Sequence, residues 1–118
     1  MQITKVLAGI AVRDLDQAKR WYEVFFARPV DAEPMSGLAE WHTPGGVLQL
    51  VVDEQRAGGS LVTVWVPDAR SALADLASRG GPDVELDDVT SDKVLFARLA
   101  DPDGNAVTVV QVREGVTL

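Results

Sequence analysis

The 118-residue chain contains no cysteine. Disulfides, thiolate metal sites, iron–sulfur clusters and cysteine nucleophiles are therefore excluded. The same absence suits a reducing compartment, and a cytoplasmic protein is expected. No apolar run approaches the ~18 residues a membrane-spanning helix needs. The apolar N-terminus runs straight into Arg13-Asp14-Leu15-Asp16, without the basic start and small-residue cleavage site of a signal peptide. Positive charge is scarce: 11 Lys and Arg stand against 18 Asp and Glu, for a net charge of −7. With no basic cluster, neither nucleic acid nor an anionic membrane is an expected partner, whereas a cationic ligand is compatible. Histidine occurs once, as His42 beside Thr43-Pro44-Gly45. A lone His at a strand end reads first as a turn or surface residue and second as a general base. No nucleophile elbow or Ser-His-Asp order accompanies it.

What is present is ordinary for a globular protein: 47% hydrophobic and 25% charged residues. The length fits one domain, taken as residues 1–118. Residues 3–12 form a short apolar, β-branched run that predicts a buried strand. Asp14 followed by Gln17 predicts a helix start, and Leu15, Ala18, Trp21 or Tyr22, and Phe25 recur at near-helical spacing until Pro29. Leu38–His42 and Gly46–Asp53 read as strands joined by Thr43-Pro44-Gly45. Residues 54–59 read as a polar, Gly-containing linker.

After the linker the pattern restarts. Leu61–Val66 predicts a strand, and Asp68 caps a helix with Ala69, Ala72, Leu73, Leu76 and Ala77 inward. Gly80 and Gly81 end that helix. Strands are expected at about 84–86, 93–99 and 106–112, the last two joined by Asp101-Pro102-Asp103-Gly104-Asn105. Val12-Arg13-Asp14 returns as Val66-Pro67-Asp68, 54 positions on. The expected fold is α+β, with two tandem β-α-β-β-β modules at about 3–53 and 58–112. Each sheet has its helix on the outer face, and the inner faces curve into a shared cup.

Three motifs in this order carry a resemblance: Val12-Arg13-Asp14-Leu15, then Ala18-Lys19-Arg20-Trp21-Tyr22, then Asp101-Pro102-Asp103-Gly104-Asn105. Together with the duplicated module, they resemble the glyoxalase / bleomycin resistance / extradiol dioxygenase superfamily, the vicinal oxygen chelate fold. The resemblance spans residues 3–112. It implies a homodimer, often with modules exchanged between chains so that each cup lies at or near the interface. It does not imply one activity, because the superfold hosts isomerases, dioxygenases, thiol transferases and drug binders.

The family's enzymes hold one divalent metal in the cup, with a His, Glu or Gln from the first and last strand of each module. Carried onto this chain, those positions are Leu7, Gln49, Leu61 and Thr108. Two offer no donor atom, and the set carries no negative charge, whereas a hard divalent cation wants several such ligands. No metal and no cofactor are therefore expected.

Strand alternation fills the cup instead. Leu7, Gly9 and Ala11 share one face; so do Leu61, Thr63 and Trp65. Gln49 and Thr108 join them, and Trp41, Phe96 and Arg98 are further candidates for the same lining. Two readings of Trp65 stand: a core filler or a platform for a ligand ring. Gln49 and Thr108 serve either each other or a ligand. Arg98 either binds an anionic group or is solvated, and Asp101 and Asp103 are turn formers.

The expectation is a non-catalytic protein resembling the bleomycin-resistance branch, which sequesters drugs without chemistry, its ligand drug-like, aromatic and cationic. The alternatives are a lyase, isomerase or dioxygenase of the same superfamily, and a domain whose cup is vestigial and whose role is protein contact.

Overall fold

A computed structural model describes all residues, 1–118. The elements run β1 (Leu7–Val12), α1 (Leu15–Phe26), β2 (Ala32–Met35), β3 (Leu38–Thr43), β4 (Gly46–Val52), β5 (Leu61–Trp65), α2 (Ala69–Ser78), β6 (Val94–Ala100) and β7 (Ala106–Val112). They form two small mixed sheets, ordered β1-β4-β3-β2 and β5-β7-β6. In each, the module's first strand lies parallel to its last: β1 beside β4, and β5 beside β7. A parallel neighbour requires a crossover, which α1 and α2 supply.

Both helices start on the aspartates that the sequence singles out. Asp14 Oδ1 accepts from the Gln17 amide at 3.1 Å, and Asp68 Oδ1 from the Ser71 amide at 3.0 Å. Each satisfies an amide that the first helical turn leaves without a partner. Helix α1 ends on Ala27, whose φ of 60° is left-handed. Helix α2 ends before Gly80, with a φ of 86°, and Gly81, where a Cβ would lie 2.5 Å from the Leu76 side chain.

Alternation along the strands puts one face of each sheet into the core. Ile10, Val12, Leu48 and Leu50 of the first sheet are buried, as are Val107, Val109 and Leu99 of the second. Tyr22 from α1, with Leu73 and Leu76 from α2, joins the same cluster. No helix is long and apolar enough to cross a membrane.

Three expectations need correction. Residues 84–86 are not a strand, because the segment makes one isolated bridge, Asp87 with Phe96. The Asp87 carboxylate then accepts from the amides of Val89 and Thr90 and from the Thr90 hydroxyl, which turns the chain away from β6. Val84 and Leu86 still pack against the core, which explains their apolar character. The second module thus has three strands rather than four. The first strand begins at Leu7 rather than residue 3. Conversely, β2 escapes the sequence reading because it is a four-residue, mostly exposed edge strand holding Pro34, a composition that reads as loop.

The modules are joined by a buried polar junction. Tyr22 Oη donates to Asp101 Oδ2 at 2.9 Å. Asn105, fully buried, donates to Asp101 Oδ2 and to the Ala11 carbonyl, and its Oδ1 accepts from the amides of Gly58 and Ser60. Ser60 Oγ in turn accepts from the Ala11 amide at 2.9 Å. Gly58, with a φ of 91°, sits where a Cβ would come 2.7 Å from the Asp103 carbonyl oxygen.

Candidate ligand-binding faces

Each sheet has a second face, turned away from its helix. On the first sheet, Gly9 of β1 is level with Gln49 of β4, and Gln49 with Glu40 of β3. The adjoining rows hold Leu7, Val47 and His42 on one side and Ala11, Val51 and Leu38 on the other. The polar residues of this face bond one another. Gln49 Nε2 donates to Glu40 Oε2 at 2.8 Å, and His42 Nε2 lies 3.1 Å from Glu40 Oε1. Hydrogen bonds from His42 and then from Gln49 hold the Glu40 carboxyl below its ordinary value. A cavity of ≈ 600 Å³ opens where this face meets the 53–60 segment, lined by Gly9, Ala11, Val51, Asp53, Arg56 and Ser60 among others. A Cβ at Gly9 would meet nothing within 4 Å, so its small size leaves open space.

On the second sheet, Thr63, Thr108 and Arg98 form one row and Trp65, Val110 and Phe96 the next. The Arg98 guanidinium carbon lies 5.5 Å from the Phe96 ring centroid, a cation–π distance. Leu61 is 79% and Trp65 63% exposed. Both side chains keep most of their apolar surface in water, where contact with an apolar partner would be favourable.

No family model and no curated sequence matches the chain; the likeness to known proteins is one of structure. A glyoxalase / bleomycin resistance protein from Catenulispora acidiphila DSM 44928 superposes with a TM-score of 0.83 at 25% identity, over 92% of this chain and 98% of that one. The fold is that of the glyoxalase / bleomycin resistance superfamily. TnmS3, an antibiotic binding protein from Streptomyces sp. CB03234, shares the fold with a TM-score of 0.76 at 24% identity, over 96% of this chain and 99% of that one. A putative glyoxalase family protein from Bacillus anthracis does so with a TM-score of 0.74 at 15% identity, over 96% and 98%.

The superfamily's metal positions, transferred to this chain, do not make a donor set. Leu7 and Leu61 have no ligand atom. Gln49 offers only a neutral amide oxygen, its nitrogen donating to Glu40. Thr108 is level with Thr63 and Arg98, a hydroxyl beside a cation. No three His, Cys, Asp or Glu side chains cluster anywhere in the chain in a way that could hold a metal ion. These residues do not fit a divalent metal.

Most of the residues singled out in the sequence lie on the two open faces: Leu7, Gly9, Ala11 and Gln49 on the first, Leu61, Thr63, Trp65, Thr108, Phe96 and Arg98 on the second. Trp41 does not. It is fully buried on the core face of β3, stacked on Phe26 with centroids 5.3 Å apart, and its Nε1 donates to the Arg28 carbonyl. Parity decides it, since Trp41 lies between Glu40 and His42, which take the open face. Gln49 bonds Glu40 rather than Thr108, which stands on the other sheet. Glu40 was missed altogether. The signal was available: a Glu two positions before the only His, on a strand whose Trp must face inward.

Proposed function

We propose that this chain is a non-catalytic, cytoplasmic small-molecule binding protein, one domain of two modules, that acts as a homodimer without the superfamily's metal. One observation carries the reading: where related enzymes hold the metal, this chain carries an uncovered Trp65 on one sheet and, on the other, a cavity floored by the small residues Gly9 and Ala11. Such a surface offers stacking and dispersion to a flat, drug-like molecule, and the polar side chains beside it can orient that molecule. The antibiotic binding named for TnmS3 is a property of that protein and supports the same class of ligand here. The exposure of Leu61 and Trp65 supports a homodimer as well, because these side chains would lose water under a second chain.

The test is a titration of purified protein with a panel of flat aromatic drugs, read by tryptophan fluorescence, beside elemental analysis and light scattering. Saturable quenching, no stoichiometric metal and a dimer at micromolar concentration are expected. Stoichiometric nickel, zinc, iron or manganese would overturn the metal-free reading, and a monomer the dimeric one.

A further inference from the structure

Glu40 is an anion without a fixed cation. Its side chain is only 12% exposed, in the middle of a largely apolar strand face. The ion pairs that Lys and Arg make in this chain go to Asp103, Glu33, Asp31, Asp53 and Asp88, and none reaches Glu40. What holds it is a neutral amide, Gln49, and an imidazole, His42, with one oxygen given to each. The charge of Lys5, on the N-terminal segment, adds a weaker attraction. A carboxylate has about four acceptor positions, so about two stay open here. A shielded carboxylate gains most from a partner that brings both a charge and a hydrogen bond.

Space for that partner exists in the same row. Gly9, level with Gln49, carries no side chain, and a Cβ there would meet nothing within 4 Å. The cavity beyond Gly9 is lined by Ala11 and Val51 and by Asp53 and Arg56, whose charges are paired with each other. We propose that Glu40, held by His42 and Gln49, is the recognition subsite for a protonated nitrogen (amine, amidine or guanidine) of a small organic ligand. This rests on reading the face as a ligand site, and it adds the chemical class and the residue that selects it. The acceptor is fixed on a strand by two hydrogen bonds, so little ordering remains when the ligand arrives. A ligand with an anion at this point is rejected by the same carboxylate.

Two flat tricyclic probes test it: proflavine, protonated at neutral pH, and acridone, which is neutral. Both are titrated calorimetrically into the full-length protein and its Glu40→Gln and Glu114→Gln variants. Glu40→Gln keeps a hydrogen-bonding side chain beside Gln49 and His42, and a thermal melt checks its fold. Glu114→Gln removes one charge at an exposed position beyond β7, off the sheet that carries Glu40. Proflavine is expected to bind at least tenfold tighter than acridone. Glu40→Gln should cost proflavine tenfold or more and leave acridone unchanged, and Glu114→Gln should change neither by more than twofold. Equal loss of both probes in Glu40→Gln would make Glu40 a shape-holding residue and overturn the assignment. So would equal loss of proflavine in both variants, which would trace the preference to net charge. Displacement of proflavine by millimolar Ni²⁺ would hand the subsite to a metal ion. Binding of acridone alone overturns this inference and leaves the ligand site standing; binding of neither probe overturns both.

Discussion

Tyr22 on the first helix and Asp101 at the end of β6 share a hydrogen bond of 2.9 Å across 79 positions of sequence. Around it, Asn105 satisfies Ala11 of β1 and the amides of Gly58 in the linker and of Ser60 just after it. One turn of the second module thereby closes on three segments of the chain. The aspartates of Asp101-Pro102-Asp103-Gly104-Asn105 do form the turn, since Asp101 Oδ1 accepts from the amides of Asp103 and Asn105. They also tie the modules together: Asp103 pairs with Arg13 at 3.1 Å.

Asn105→Ala is the most damaging single change this arrangement predicts. It strips partners from the Gly58 and Ser60 amides and the Ala11 carbonyl at once, and each stranded group costs about 1–3 kcal/mol. A loss of about 3 kcal/mol or more is expected by urea denaturation. Tyr22→Phe removes one donor and should cost about 1–2 kcal/mol. Equal stability of wild type and Asn105→Ala would refute the junction.

Alkaline pH should weaken the fold through Tyr22. Burial first, then the charge of Asp101 and the hydrogen bond to it, hold its hydroxyl far above the ordinary phenol value. Above about pH 10 the unfolded chain gives up this proton and the folded chain keeps it. The unfolded state then binds fewer protons, so stability falls as pH rises. The contribution is whole below about pH 10 and declines above it. Tyr22→Phe should lose this part of the decline, measured as the urea midpoint between pH 9 and 11.

Trp65 and Trp41 should respond oppositely to truncation. Trp65 is 63% exposed and Trp41 fully buried. Trp41→Ala should cost about 3–5 kcal/mol of stability. Trp65→Ala should cost under about 1 kcal/mol of stability but about 1–3 kcal/mol of ligand binding, the worth of an aromatic stacking platform. Gly9→Leu should keep the melting temperature within a few degrees and narrow the cavity at its floor, weakening binding. A large stability loss in Trp65→Ala with unchanged affinity would return that indole to the core.

Ala27 ends α1 in a left-handed conformation, with a φ of 60°. A Cβ there costs roughly 1–2 kcal/mol relative to glycine, part of which glycine's unfolded-state entropy takes back. Ala27→Gly should raise stability by about 0.5–1 kcal/mol, seen as a higher thermal midpoint. A lower midpoint would mean that local packing outweighs backbone strain.

The duplicated fold was legible because the signals for it are local. Asp14 and Asp68 cap helices, and period-two alternation in Val62, Val64, Val107 and Val109 marks the core face without any knowledge of the partner strand. What escaped depends on pairing. The 84–86 segment is apolar enough for a strand, but the Asp87 turn leaves it a single bridge. For β2 the reverse holds: poor strand residues pair because β3 offers an edge. Trp41 and Glu40 exchange places for the same reason. The facing of this short strand follows from its register with β4, and its one local sign is the pair of ionisable side chains, Glu40 and His42, that leaves Trp41 to the inner face.

The open strand faces and the −7 charge act against each other between molecules. Uncovered Leu61 and Trp65 favour sticking; a shared negative charge makes copies repel and keeps them dispersed. That repulsion reaches only about 10 Å at 0.1 M salt and shrinks as salt is added, whereas hydrophobic attraction does not. Any self-association through these faces is therefore expected to strengthen as salt is added, measured by sedimentation at low and high ionic strength. An association that weakens with salt would point to charge rather than apolar contact.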